Sequence, residues 1–77
     1  MREIKVGGVY KHFKGNLYEV VALATHTETG ELLVIYKPVD KAKLYARPII
    51  MFMVEVDHEK YPEVTQKYRF EEVSRGE

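Results

Sequence analysis

The sequence predicts an all-β fold, a small five-stranded SH3-like barrel. Val, Ile, Leu, Tyr and Phe gather in short runs separated by turn residues. Within those runs the side chains alternate, so each run offers one aromatic-aliphatic face. The chain has 77 residues, enough for one domain with a small core, which a short, strongly bent sheet can enclose by curling on itself. The whole of 1–77 is read as one domain with its core about 7–73.

Residues 8–13 form the first strand, and a Lys-Gly-Asn turn (14–16) leads into "LYEVVALATH" (17–26), the second and longest. "TETGE" (27–31) is a turn with Gly30 placed for positive φ. "LLVIYKPV" (32–39) returns as the third strand, and Pro38 ends its regular pairing. Residues 40–46 are a lysine-bearing connection. Pro48 forces Arg47 into an extended shape. Residues 49–52 are a turn or a single helical turn, and 53–57 the fourth strand. Residues 58–66 form a polar loop, 67–73 the fifth strand, and "SRGE" a frayed tail.

Parity assigns the faces. In the second strand Tyr18, Val20, Ala22, Ala24 and His26 share the inward side, while Glu19 and Thr25 oppose them. Tyr18, Val20, Leu32, Val34, Phe52, Val54 and Phe70 are expected to be buried. Glu19, Lys37 and Glu55 are expected to face water. The first strand is ambiguous, with Val9 and Phe13 beside Lys11 on one face and Tyr10 and His12 on the other.

Composition excludes several classes. Twelve basic residues balance twelve acidic ones, which argues against general nucleic-acid binding, where phosphate neutralisation supplies the affinity. Cysteine is absent, so disulfides and thiolate ligands are excluded, in keeping with a reducing cytoplasm. No apolar run approaches the ~20 residues of a membrane helix, and "MREIKVGG" lacks the apolar core of a secretion signal. The expected location is therefore the cytoplasm, with no membrane association.

"GGVYKHFKGNLYEVVALATHTETGELLVIYKPV", "YARPIIMFMVEV" and "RFEEV" together resemble the small bacterial family DUF1653. The shared signatures are a G-x-Y-x-H-F-K-G-x-x-Y-x-V opening, an H-[ST]-E-T turn, an aromatic-x-R-P-x-x-x-F segment and a closing Arg-Phe pair. The resemblance runs from Gly8 to Glu72 and implies an SH3-like β-barrel, with no established activity. It marks Tyr10, His12, Phe13, Lys14, Tyr18, His26, Glu28, Tyr36, Arg47, Pro48, Phe52, Arg69 and Phe70. This chain departs from the family in carrying Tyr45 where Trp is usual, and in a longer 58–67 segment.

Each marked residue has a structural reading beside a functional one. Phe13, Tyr18, Phe52 and Phe70 are most simply core. Tyr36 is either a core tyrosine with a satisfied hydroxyl or a pocket wall. Glu28 can cap its own turn. Arg47 can clasp the loop before Pro48 or anchor a planar anion. His12, His26 and Glu28 could be imagined as a metal site, but their spacing matches no metal motif, so no metal is expected. Neither a G-x-S-x-G nor a phosphate loop accompanies the histidines, so catalysis and cofactors are not expected. His58 lies in a polar loop and reads as solvated.

Tyr10, His12, His26, Tyr36, Tyr45 and Arg47 are the polar-aromatic residues at strand ends. They are the candidate ligand-binding set, suited to a nucleotide or modified base. Two alternatives are an SH3-like module taking a protein or peptide partner, and a small His-dependent enzyme. A homodimer is compatible with so small a core.

Overall fold

The computed structural model describes residues 3–73; the tail "SRGE", expected to fray, lies outside them. Five strands and one short helix follow in order: β1 Val9–His12, β2 Leu17–Thr25, β3 Leu32–Pro38, β4 Tyr45–Pro48, α1 Ile49–Met53 and β5 Phe70–Glu72. The strands form one antiparallel sheet in the order β4-β3-β2-β1-β5. β4 and β5 are its two edges, so the sheet is open and the expected closed barrel is corrected.

β1 pairs Tyr10 with Tyr18 of β2 on one side and His12 with Phe70 of β5 on the other. Residues opposed across a ladder share a face, so Tyr10, His12, Tyr18 and Phe70 all look inward. This settles the mixed face of β1: Tyr10 is 2% exposed and belongs to the core, while His12 stands half-buried at its border. Outside, Glu19 and Lys37 are register partners and form an ion pair at 3.6 Å.

The parity expected for β2 holds only to Val20. Val20 faces Tyr36, but the next pair is Ala22 with Ile35, so β2 carries an extra residue there, a β-bulge. Leu23 then opposes Val34 in register but is itself 39% exposed. Ala22 and Ala24, both half-buried, oppose Ile35 and Leu33, off the parity of Tyr18 and Val20. Leu32 sits beyond the core at the far end of this hairpin, opposite Thr25, and is 39% exposed rather than buried.

The expected fourth strand is also corrected. Tyr45–Pro48 is the strand, paired with β3, and the presumed lysine-bearing connection ends in it. Pro48 lacks an N–H, which an edge position tolerates, and its fixed φ of −54° leads into α1. Residues 53–57 contribute only an isolated bridge, Glu55 with Tyr68. That bridge is flanked by Val56 N–H donating to the Lys67 carbonyl and Arg69 N–H to the Val54 carbonyl. Val54 is half-buried there.

The core is a knot of rings centred on Phe70. Phe52 of α1 stacks on it at 4.1 Å and 7°, while Tyr18 and Tyr36 meet it edge-on at 5.7 Å. Tyr10 closes against Phe52 at 5.5 Å. Such ring pairs add about 0.5–1.5 kcal/mol each beyond area burial. Val20 and Val34, both 0% exposed, complete the packing.

Candidate functional site

One end of the inner face does not close. There, between the β1–β2 turn and the β3–β4 connection, lies a cleft of about 700 Å³. Its floor is Phe70, Tyr18 and Tyr36; its walls include His12, Tyr45, Arg47 and Asp40. Register explains the gathering. Tyr36 pairs with Tyr45 and Val34 with Arg47, so Tyr45 and Arg47 share the inward face of β4, and the Phe70 pairing brings His12 to the same end.

Arg47 stands over aromatic surface, its guanidinium carbon 5.4 Å from the Phe70 centroid and 6.0 Å from that of Tyr36. Among the described residues the two ion pairs are Lys5–Glu72 and Lys37–Glu19, so no carboxylate neutralises Arg47. The rings hold it in place while its N–H edges stay available.

His12 is seated on the same ring, its centroid 4.9 Å from that of Phe70 and 4.5 Å from that of Phe13. Its Nδ1 accepts the Lys14 backbone N–H at 3.1 Å. In the neutral ring the proton is then on Nε2, as a donor. Burial holds the His12 pKa below its ordinary value, and the positive charges of Arg47, Lys14 and Arg69 lower it further.

Tyr36 is 6% exposed, yet its hydroxyl has no hydrogen-bond partner among the described residues and is not a buried unsatisfied atom. It therefore opens to water, and the cleft is where Tyr36 meets the surface. Tyr36 is thus both core ring and pocket wall. Tyr45, 42% exposed, continues that wall with its ring 5.9 Å from Tyr36 and tilted by 34°.

His12, Tyr36, Tyr45 and Arg47 therefore come together, while Tyr10 and His26 lie elsewhere. The Tyr10 hydroxyl accepts the Lys5 backbone N–H at 2.9 Å, deep beside the N-terminal segment. Gly8 permits that approach, since a Cβ there would meet Tyr10 Cε1 at 3.2 Å. His26 caps its own turn: Nδ1 accepts the N–H of Glu28 at 3.1 Å and of Thr29 at 3.4 Å. The bulge separates it from the parity of Tyr18 and Val20. Sequence reasoning passed over Asp40 and Phe70 as site residues. Asp40 is the one acid in the basic stretch 37–47, and that isolation was the available signal.

Among the described residues no group of three or more His, Cys, Asp or Glu side chains gathers as a metal site. No helix among them is long and apolar enough to cross a membrane. Fold and cleft together define a class: a small all-β protein, an open antiparallel sheet over an aromatic core, with a basic-aromatic cleft at one end. The chain belongs to the family described as protein of unknown function (DUF1653), whose family model matches residues 8–72. No curated protein and no solved structure matches it.

Proposed function

We propose that the protein is a non-catalytic binding module that holds a planar or anionic small ligand, a nucleotide or modified base, in this cleft. The observation that carries the reading is Arg47, backed by Phe70 and Tyr36 and left without an acidic partner among the described residues. An arginine so placed offers two parallel N–H bonds to a phosphate or carboxylate. Nε2–H of His12 supplies a directional donor beside it, and Tyr45 an exposed ring for a flat ligand. The cleft lining includes no Ser, Thr or Cys side chain for His12 to activate for covalent catalysis.

One stacked base contributes about 1–3 kcal/mol. A charge-assisted hydrogen bond contributes about 1.5–3 kcal/mol. Together they support a Kd near the millimolar range, about −4 kcal/mol. The test is an amide-shift NMR titration with mononucleotides. Shifts should cluster at residues 12–18, 36–41 and 45–47. Arg47→Ala should abolish them while leaving the melting temperature nearly unchanged. Absence of any shift at tens of millimolar ligand refutes the reading, and a large stability loss in Arg47→Ala returns Arg47 to a structural clasp.

One observation favours a second reading, a peptide or protein partner. β4 is a sheet edge, and it lies in a segment exposing Leu44 at 55%, Ile50 at 76% and Met51 at 45%. Unpaired edges of this kind accept an added strand. Light scattering across a concentration series tests the simplest partner, a second copy.

A further inference from the structure

Arg47 lines the cleft beside His12, and Lys14 and Arg69 bring two further positive charges to bear on that histidine. We infer that the ligand's anionic part is phosphate and that it seats at the His12 end, where Lys14 and Arg69 reinforce Arg47; this rests on the binding-module reading above.

Three positions are held near His12 without an acid. Lys14 Nζ stands 5.9 Å from the Phe13 centroid and 5.8 Å from that of Tyr61, two rings that pack at 4.9 Å. Phe13 in turn packs on His12 at 4.5 Å. Arg69 precedes Phe70, and its Nη1 donates to the Met51 carbonyl at 3.4 Å. Arg47 covers Phe70 itself. None of the three has a carboxylate partner among the described residues, although the chain carries as many acids as bases. Their charges converge on His12, whose pKa they depress.

The opposite wall is mixed in charge, with Asp40 and Lys41 side by side. Asp40 stands on the β3–β4 connection, also without an ion-pair partner among the described residues. Three cations act at the His12 end against one acid and one lysine here, so a ligand lying across the cleft turns its negative end toward His12 and its hydrogen-bond donors toward Asp40. A carboxylate is a monoanion that Arg47 alone can satisfy. A phosphate carries more charge and more acceptor oxygens, enough for Arg47, for Nε2–H of His12 and for the longer-range pull of Lys14 and Arg69. A nucleoside phosphate places its base toward Tyr45 and Asp40 and its phosphates toward the cations.

The experiment titrates the full chain with adenosine, AMP and ADP at low and high salt, followed by amide shifts. Affinity should rise with each phosphate, ADP exceeding AMP by roughly threefold to tenfold at low salt, the scale of one unit-charge interaction across about 4 Å of water. High salt should shrink that gain. Lys14→Gln and the Lys14→Gln/Arg69→Gln pair should remove the ADP-over-AMP gain while leaving adenosine binding unchanged. Lys14→Gln, which alters an exposed side chain, keeps the test valid if the pair destabilises the fold. If adenosine, AMP and ADP bind alike, the phosphate inference falls and the binding module stands. A gain that survives Lys14→Gln and the pair overturns the assignment of these cations. If none of the three ligands binds, both readings fall.

Discussion

At the scale of single residues, His12 has the clearest electrical consequence. Its pKa lies below the ordinary value because burial and then Arg47, Lys14 and Arg69 disfavour the imidazolium. The folded chain thus binds fewer protons than the unfolded chain between the folded midpoint and about 6.5. Stability should be full above about pH 6.5 and decline as the pH falls toward the folded midpoint. An NMR titration of the His12 ring should show a midpoint below 6.5, and a His12→Gln variant should lose that part of the acid sensitivity. A bound phosphate should raise the midpoint, since it favours the imidazolium, so affinity should increase on acidification. A midpoint at the ordinary value in the ligand-free protein contradicts this account. Such a residue was only half legible in the sequence. Alternation puts Tyr10 and His12 on one face, but it cannot say that Tyr10 sits over the core while His12, two residues on, reaches its edge. His26 was grouped with them by parity, and parity fails wherever a strand gains a residue.

At the scale of elements, α1 depends on one side chain. It has five residues, Pro48 at its N-cap position, no side-chain cap, and no charged residue placed to favour its dipole. A helix this short has no independent stability, so tertiary packing must hold it. Phe52 supplies that packing, fully buried between Phe70, Tyr36 and Tyr10. Phe52→Ala should therefore cost about 3–5 kcal/mol. Chemical denaturation should show the domain close to its unfolding limit, since domains of this kind hold only about 5–15 kcal/mol in all. A loss below 1 kcal/mol would mean that the ring is not enclosed as described. The first three strands were readable because dense β-branched and aromatic runs stood between clear turn signals. β4 was not, because four residues including an arginine and a proline carry too little pattern, and the decisive factor is the free edge of β3. Phe52, Val54 and Val56 mimic a strand's alternation, yet Phe52 points inward from a helix and Val56 from a short bridge.

At the scale of the whole molecule, alternation and turn signals cannot tell an open sheet from a closed one. Closure depends on whether β4 and β5 meet, and α1 and the residues after it lie between those strands in the chain. The cleft follows from that openness, because the inner face is covered by Phe52 and Phe70 in the middle and left bare at one end. The ring at the centre of the core, Phe70, comes from the last strand to be made. Every other ring of the knot, from Tyr10 to Phe52, precedes it in the chain. A chain ending before residue 67 should lack cooperative unfolding and dispersed amide signals. A folded spectrum from that fragment would show that β1–β4 and α1 suffice alone. On the ribosome the same geometry sets an order of events. Hairpins β1–β2 and β2–β3 can form as they emerge, but nothing can seal their apolar side until translation has passed Phe70. Until that point the nascent chain carries an uncovered aromatic surface, a natural stage for chaperones to act and for neighbouring nascent chains to stick.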